Sequence, residues 1–280
     1  MSIDPFLWCK ERLMVPGNPL AASLLFVDSD TRSMVLALRA VIMEIAQISE
    51  LAHEPSLAMA KLNWWREALV ENRAHPALEA LSVADGRTEA VLRDLLALCE
   101  SVEGALENQR FETTEQAWMQ CRNLGGLAMR IEAQALDSDA DEAILEAATQ
   151  LGAAGYWLRW IRDIAGDAHQ ERWYVPLDIQ ADYQINRQQV LDQAGGRSWA
   201  GFVRTLVSVA VIRSEQAKER LMQTTSSHLR HPLITQALDQ RLASALARQP
   251  ARILTTRILP SHAGNVWVAW RRARQLRTKG

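Results

Sequence analysis

Cysteine is scarce in this 280-residue chain: Cys9, Cys99 and Cys121 are the only three, and none forms a CxxC pair. An odd number at such spacing excludes a disulfide framework and a structural zinc site, and fits a reduced compartment. An excess of one charge is also missing. Thirty-one basic and 33 acidic side chains leave a formal −2, so no global field draws the whole chain to nucleic acid. Long apolar runs are absent. The longest stretch free of strong breakers, 198–212, is interrupted by Arg204 and is too short and polar to span a bilayer. The opening MSIDPFLWCKERLM lacks the cationic start and apolar run of a signal peptide. Together these features predict a cytoplasmic protein. No linker rich in proline, glycine or serine divides the chain, no repeat recurs at 20–50 residues, and strand-like alternation of β-branched residues is nearly missing.

What is present is helical. Apolar residues make up 48% and charged residues 23%, which excludes disorder as the main state. Ala, Leu, Glu, Gln and Arg dominate, all strong helix formers. Apolar stripes at 3.6 spacing predict helices over 31–47, 55–72, 88–107, 139–168, 197–224 and 231–248. Asp30 or Ser29 is a candidate N-cap for the first of these. Pro76 opens a short helix at its first position. Thr113–Gln116 reads as a capped start for a helix ending near Leu136, Arg187–Asp192 as a short helix, and Pro260 as the start of a last one. Residues 174–186, broken by Pro176, read as irregular. The expectation is eight to ten helices in one all-α domain of long antiparallel helices.

The chemistry concentrates in Leu151–Ile179, LGAAGYWLRWIRDIAGDAHQERWYVPLDI. Asp163 and Asp167 are four apart, so a helix puts them on one face. Arg159 and Arg162 lie one turn before them, and Arg172 and Tyr174 follow the helix end. Two carboxylates so placed could hold Mg²⁺ bridged to a diphosphate, although the same spacing is common on solvated helix faces.

The order of motifs decides for the first reading. This stretch resembles the second signature of the squalene/phytoene synthase family of head-to-head prenyl transferases, approximately Gln-x-x-Asn-x-x-Arg-Asp-x-x-x-Asp followed by Arg-x-Tyr-x-Pro. Here the matching residues are Arg162-Asp163, Asp167 and Arg172-Trp173-Tyr174-Val175-Pro176. Ser23–Phe26, Leu36–Ala40, Leu62–Arg66, His75-Pro76 and Gly125-Gly126 fall where the family has its early Ser-Phe segment, first catalytic helix, Trp-centred helix, following turn and small-residue helix. The resemblance implies an isoprenoid-synthase-like bundle around a central cavity. It implies Asp163 and Asp167 as Mg²⁺ ligands, and Arg159, Arg162, Arg172, Tyr174 and Glu50 as binding residues for a prenyl diphosphate or lipid.

The departures are equally informative. The family's first Asp-x-x-x-Asp should fall at 46–50, but Ala46 stands at its first position and Glu50 at its second. In the second signature the family's Gln is Tyr156 and its Asn is Arg159. In the family that this stretch resembles, two facing carboxylate clusters hold the Mg²⁺ that assists ionisation of the diphosphate, so the loss implies a catalytically degenerate relative. An Arg159–Asp163–Asp167 ladder would neutralise the remaining aspartates, with Trp157 and Trp160 adding bulk to the cavity. Met43–Ile48 resembles the corresponding helix of the family branch that assembles mitochondrial complex I, which has also lost this motif. The alternative is an active transferase in which Glu50 and Glu44 stand in for the first cluster. A further alternative is a membrane-associated assembly factor without a small-molecule ligand, its protein partner unspecified.

The remaining candidates read as structural. The histidines at 53, 75, 169, 228, 231 and 262 form no cluster, and His228 and His231 read as solvated or capping residues. Cys121 and the tryptophans at helical spacing read as core, Val266–Trp270 included. Residues 251–280 carry seven basic side chains and no acidic one, which offers peripheral contact with an anionic membrane rather than nucleic-acid binding.

Overall fold

The computed structural model describes residues 4–15, 18–51, 54–107, 110–223 and 229–277. Fourteen α-helices and no strand occur among them. The first half holds α1 (Pro5–Leu13), α2 (Leu20–Ser23), α3 (Ser29–Ala46), α4 (Pro55–Glu71), α5 (Pro76–Val83), α6 (Glu89–Glu107), α7 (Thr114–Cys121) and α8 (Leu127–Leu136). The second holds α9 (Glu142–His169), α10 (Leu177–Tyr183), α11 (Arg187–Leu191), α12 (Trp199–Gln223), α13 (Arg230–Arg248) and α14 (His262–Arg277).

Most boundaries follow local chemistry. The Thr113 and Gln116 side chains and backbones bond reciprocally at the start of α7, the expected capping box. The Asp141 carboxylate accepts from the Ile144 N–H to open α9. The cap of α3 is Asp28, one or two residues before the expected Ser29 or Asp30, because Asp28 has extended backbone and its carboxylate accepts from the Thr31 N–H at 2.8 Å. The segment 174–186 is not irregular throughout, since α10 lies inside it. Pro176 sets the extended residue before the helix, and the Asp178 carboxylate accepts from the Thr114 N–H and hydroxyl, tying α10 to α7.

Helix α9, 28 residues and about 42 Å long, is the central column. Leu145 and Ala148 near its start pack with Ala217 and Leu221 of α12, whereas Ile161 and Ile164 pack with Phe202 and Val203. The two longest helices therefore run antiparallel. A second core joins α1 and α3–α6, where His75 accepts from the Ala77 N–H and sits edge-on to Trp8 and Trp65 at 5.2 and 4.9 Å. The three cysteines are free and buried. Burial pushes the thiols of Cys9 and Cys99 up to about 11, so neither is a thiolate at neutral pH.

The expected single helix from Thr113 to Leu136 is broken. A π turn, Arg122–Gly126, separates α7 from α8 and presses against α9. A methyl group on Gly152 would collide with the backbone carbonyl of Gly125, and one on Gly126 would lie 2.8 Å from that of Thr149. Alanine at 152 would gain about 1 kcal/mol of helix propensity. Overpacking against backbone, which cannot rotate away, costs about 1–3 kcal/mol and wins. Gly152→Ala is expected to lower the urea midpoint without changing the slope of the transition.

Candidate functional site

The C-terminal half of α9 carries Arg159, Arg162, Asp163 and Asp167 to one space, and the chain beyond it returns Arg172 and Tyr174 to the same place. All six line a cavity of about 700 Å³, within the range of ligand pockets. Gln120, Cys121 and Leu124 reach it from α7 and the π turn, and Ile253, Leu254 and Arg257 from the segment after α13. The walls are divided in character. Phe111, Leu124, Tyr156, Trp160, Ile253 and Leu254 are apolar or aromatic, whereas the charged lining holds four arginines and two aspartates, an excess of two positive charges.

Both aspartates pair with guanidinium groups, Asp163 through both of its oxygens and Asp167 through one. Arg162 donates to Asp163 through Nε and Nη2 at 2.9 and 2.5 Å. Arg257, 94 residues further on, does the same at 2.6 and 2.9 Å. Burial pushes the Asp163 carboxyl up, but the two arginines outweigh it and hold the group below the usual carboxylate range. Arg172 donates to Asp167 through Nε and Nη2 at 3.1 and 2.8 Å.

The expected ladder from Arg159 through Asp163 does not form. Arg159 turns to Asp239 of α13 at 3.3 Å. Asp163 already has two partners, while Asp239 is buried beside Gly155, and an unpaired buried carboxylate would cost several kcal/mol. Burial still dominates at Asp239 and raises its pKa, with Arg159 offsetting only part of it. The bulk expected of Trp157 and Trp160 does not close the cavity either. Trp157 is fully buried in the α9–α12 core, where its indole N–H donates to the Leu206 carbonyl at 2.8 Å. Tyr156 and Trp160 line the cavity without filling it.

The first cluster gives little support to the second. Glu44 faces α1 and pairs with Arg12 at 3.1 Å, so it does not stand in for the lost aspartate. Ser49 reaches the cavity wall. The side chain of Glu50 lies outside the described residues, as do His53 and His228. Magnesium requires free oxygens in octahedral array. Both oxygens of Asp163 and one of Asp167 accept from arginine, and no group of three His, Cys, Asp or Glu among the described residues could hold a metal. As arranged, these residues do not fit a bound Mg²⁺. The Gln120 amide nitrogen is buried in the cavity wall with no hydrogen-bond partner among the described residues, a donor suited to an acceptor-rich ligand.

One further array was not anticipated. His231 is fully buried rather than solvated; its Nδ1 lies 2.6 Å from Glu132 and its Nε2 2.8 Å from the Ser23 hydroxyl. Arg39 donates from the far side of Glu132. The order serine–histidine–carboxylate resembles a nucleophile array, but Ser23 is 1% exposed and no substrate reaches it. The array joins α2, α3, α8 and α13. Its sequence signal was an acid on an apolar stripe, Glu132 among Ala128, Met129 and Ala133. Arg257 gave no such signal, because it lay in a segment read as basic surface.

Comparison with known proteins agrees with this geometry at the level of fold and family. A family model for squalene/phytoene synthase matches residues 17–264. Phytoene synthase 3, chloroplastic, of Zea mays is 24% identical over 60% of this chain and 41% of its own. The NADH dehydrogenase (ubiquinone) complex I assembly factor 6 of Rattus norvegicus is 22% identical over 77% of this chain and 66% of its own. The chain thus spans between about two fifths and two thirds of the length of these relatives. A dehydrosqualene synthase crystallised with ligand superposes with a TM-score of 0.84 at 14% identity, over 98% of this chain and 97% of that one. A squalene synthase from Alicyclobacillus acidocaldarius gives 0.69 at 18% identity, over 88% and 94%. With a family model matching nearly its whole length and the same helical architecture around its cavity, the chain belongs to the squalene/phytoene synthase family.

Proposed function

We propose that this chain is a catalytically degenerate member of its family that binds a prenyl diphosphate, or a lipid with a comparable anionic head, without metal-assisted ionisation. The observation that carries the reading is the double clamp of Arg162 and Arg257 on Asp163 within a cavity of net positive charge. Guanidinium groups bind phosphate oxygens through planar, charge-assisted pairs, and the apolar wall suits a prenyl or acyl tail. Ionising an allylic diphosphate asks for more, namely divalent cations that neutralise the leaving group as its charge develops. Here the residues that would hold such cations are spent on arginine.

The similarity to complex I assembly factor 6 covers more of this chain than that to the maize phytoene synthase, which favours an assembly role as the use of the bound state. An active transferase would instead require Asp163 and Asp167 to exchange their arginines for Mg²⁺, with Glu50 completing the site. The test is incubation of the protein with farnesyl diphosphate and Mg²⁺, followed by extraction of hydrocarbons and assay of pyrophosphate. Farnesyl diphosphate recovered intact is the expected result. A thirty-carbon product above the no-enzyme level would establish the active reading.

A further inference from the structure

We propose that α14 is a membrane-docking surface that lies on the headgroup layer of an anionic bilayer, with Trp267 and Trp270 at the interface. This proposal stands apart from the cavity and survives its failure. Helix α14 is amphipathic in the inverted sense. Its buried stripe is Asn265, Ala269 and Ala273, whereas Trp267 and Trp270 are 55% and 44% exposed. A helix held only by its own core would turn its largest apolar side chains inward; here Ala269 and Ala273, with the partly buried Val268 and Leu276 beside them, face the protein, and the indoles face out.

Each exposed indole carries a cation one turn further on. The Arg271 guanidinium lies 5.5 Å from the Trp267 ring and that of Arg274 5.6 Å from the Trp270 ring. Beside Trp267, a shallow groove between α13 and α14 is lined by Arg241 and Arg248 and by no acidic residue. Leu259, in the loop that leads into the helix, is also exposed.

The occupant follows from this pairing of aromatic plate and cation. Indoles prefer headgroup depth, where the ring is dry and the N–H is wet, and arginines beside them meet lipid phosphates. From residue 251 to the end there is no acidic side chain to repel an anionic surface. A long nucleic acid fits less well, since the basic, acid-free surface is confined to this one helix and the groove beside it, whereas a phosphate backbone is held by many spaced cations along its track.

The experiment is sedimentation of the full chain with phosphatidylcholine vesicles, with and without phosphatidylglycerol, at low and high salt. The expected result is binding to the anionic vesicles alone, weakened by salt, and reduced roughly tenfold or more both by Trp267→Ser with Trp270→Ser and by Arg271→Gln with Arg274→Gln. Both pairs are exposed, so thermal unfolding should match wild type and separate lost docking from lost folding. Failure of the wild type to bind anionic vesicles overturns the proposal, as does equal binding by the tryptophan variant. Retention on RNA or on an acidic protein without vesicle binding also overturns it and reassigns the surface.

Discussion

Glu132→Ala is expected to remove about 3–5 kcal/mol of stability, much of the 5–15 kcal/mol available to a typical domain. The carboxylate is fully buried on α8, accepts from Arg39 of α3, and contacts His231 of α13, which in turn reaches Ser23 of α2. Removing it leaves a guanidinium and an imidazole facing each other with nothing between them, so the loss is that of a broken buried network rather than of one hydrogen bond. Burial alone would push the Glu132 carboxyl up, but Arg39 and His231 outweigh it and hold the group at about 2, against 4.5 ordinarily. A depressed carboxyl stabilises the fold above its unfolded pKa and loses that contribution as pH falls through the folded one. The wild type should therefore lose stability from about pH 4.5 down to about pH 2, whereas Glu132→Gln should start lower and show a flatter profile over this window. Urea unfolding at stepped pH measures both. A Glu132→Ala protein as stable as wild type would mean that the four helices are held by apolar packing alone.

The helices were legible where one face repeats over many turns. Helices α4, α12 and α13 fall within two residues of the sequence expectation and α9 within three because their apolar stripes are long. Helix α10 was not legible, since seven residues carry too little periodicity and its stability comes from Asp178 bonding Thr114, 64 positions away. Nor was the π turn, whose reason lies in the close approach of Gly125 and Gly152 across two helices.

The site divides in the same way. Spacing alone placed Asp163 and Asp167 on one face, and the motif order added Arg162 and Arg172. It could not show that Asp163 belongs to Arg257 as well, nor that Arg159 is drawn off by Asp239, because both partners arrive from distant segments through tertiary packing. The tryptophans of α14 were misplaced for a related reason. Helical spacing marks a stripe but does not say whether the stripe faces the protein, and here the small residues face it.

The clamped aspartate yields a prediction of unusual sign. Where Asp163 is a metal ligand, Asp163→Asn abolishes diphosphate binding. Where it is a counter-ion within a cationic cavity, the substitution removes a competing anion and releases Arg162 and Arg257 toward the ligand. Farnesyl diphosphate should then bind the variant at least as tightly as the wild type, by up to about tenfold, the equivalent of roughly 1.4 kcal/mol. Asparagine keeps the shape and two of the polar contacts, so the fold is retained. Arg257→Ala should move affinity the other way, since it removes one of the four cationic side chains of the lining.

The measurement that bears most directly on this account is calorimetric titration of farnesyl diphosphate into wild type and Asp163→Asn, each in EDTA and in excess Mg²⁺. Binding in EDTA, little change on adding Mg²⁺, and affinity maintained or raised in the variant are the expected results. Binding by the wild type that appears only with Mg²⁺ and vanishes in Asp163→Asn would contradict them, and would make Asp163 the metal ligand that the family pattern implies.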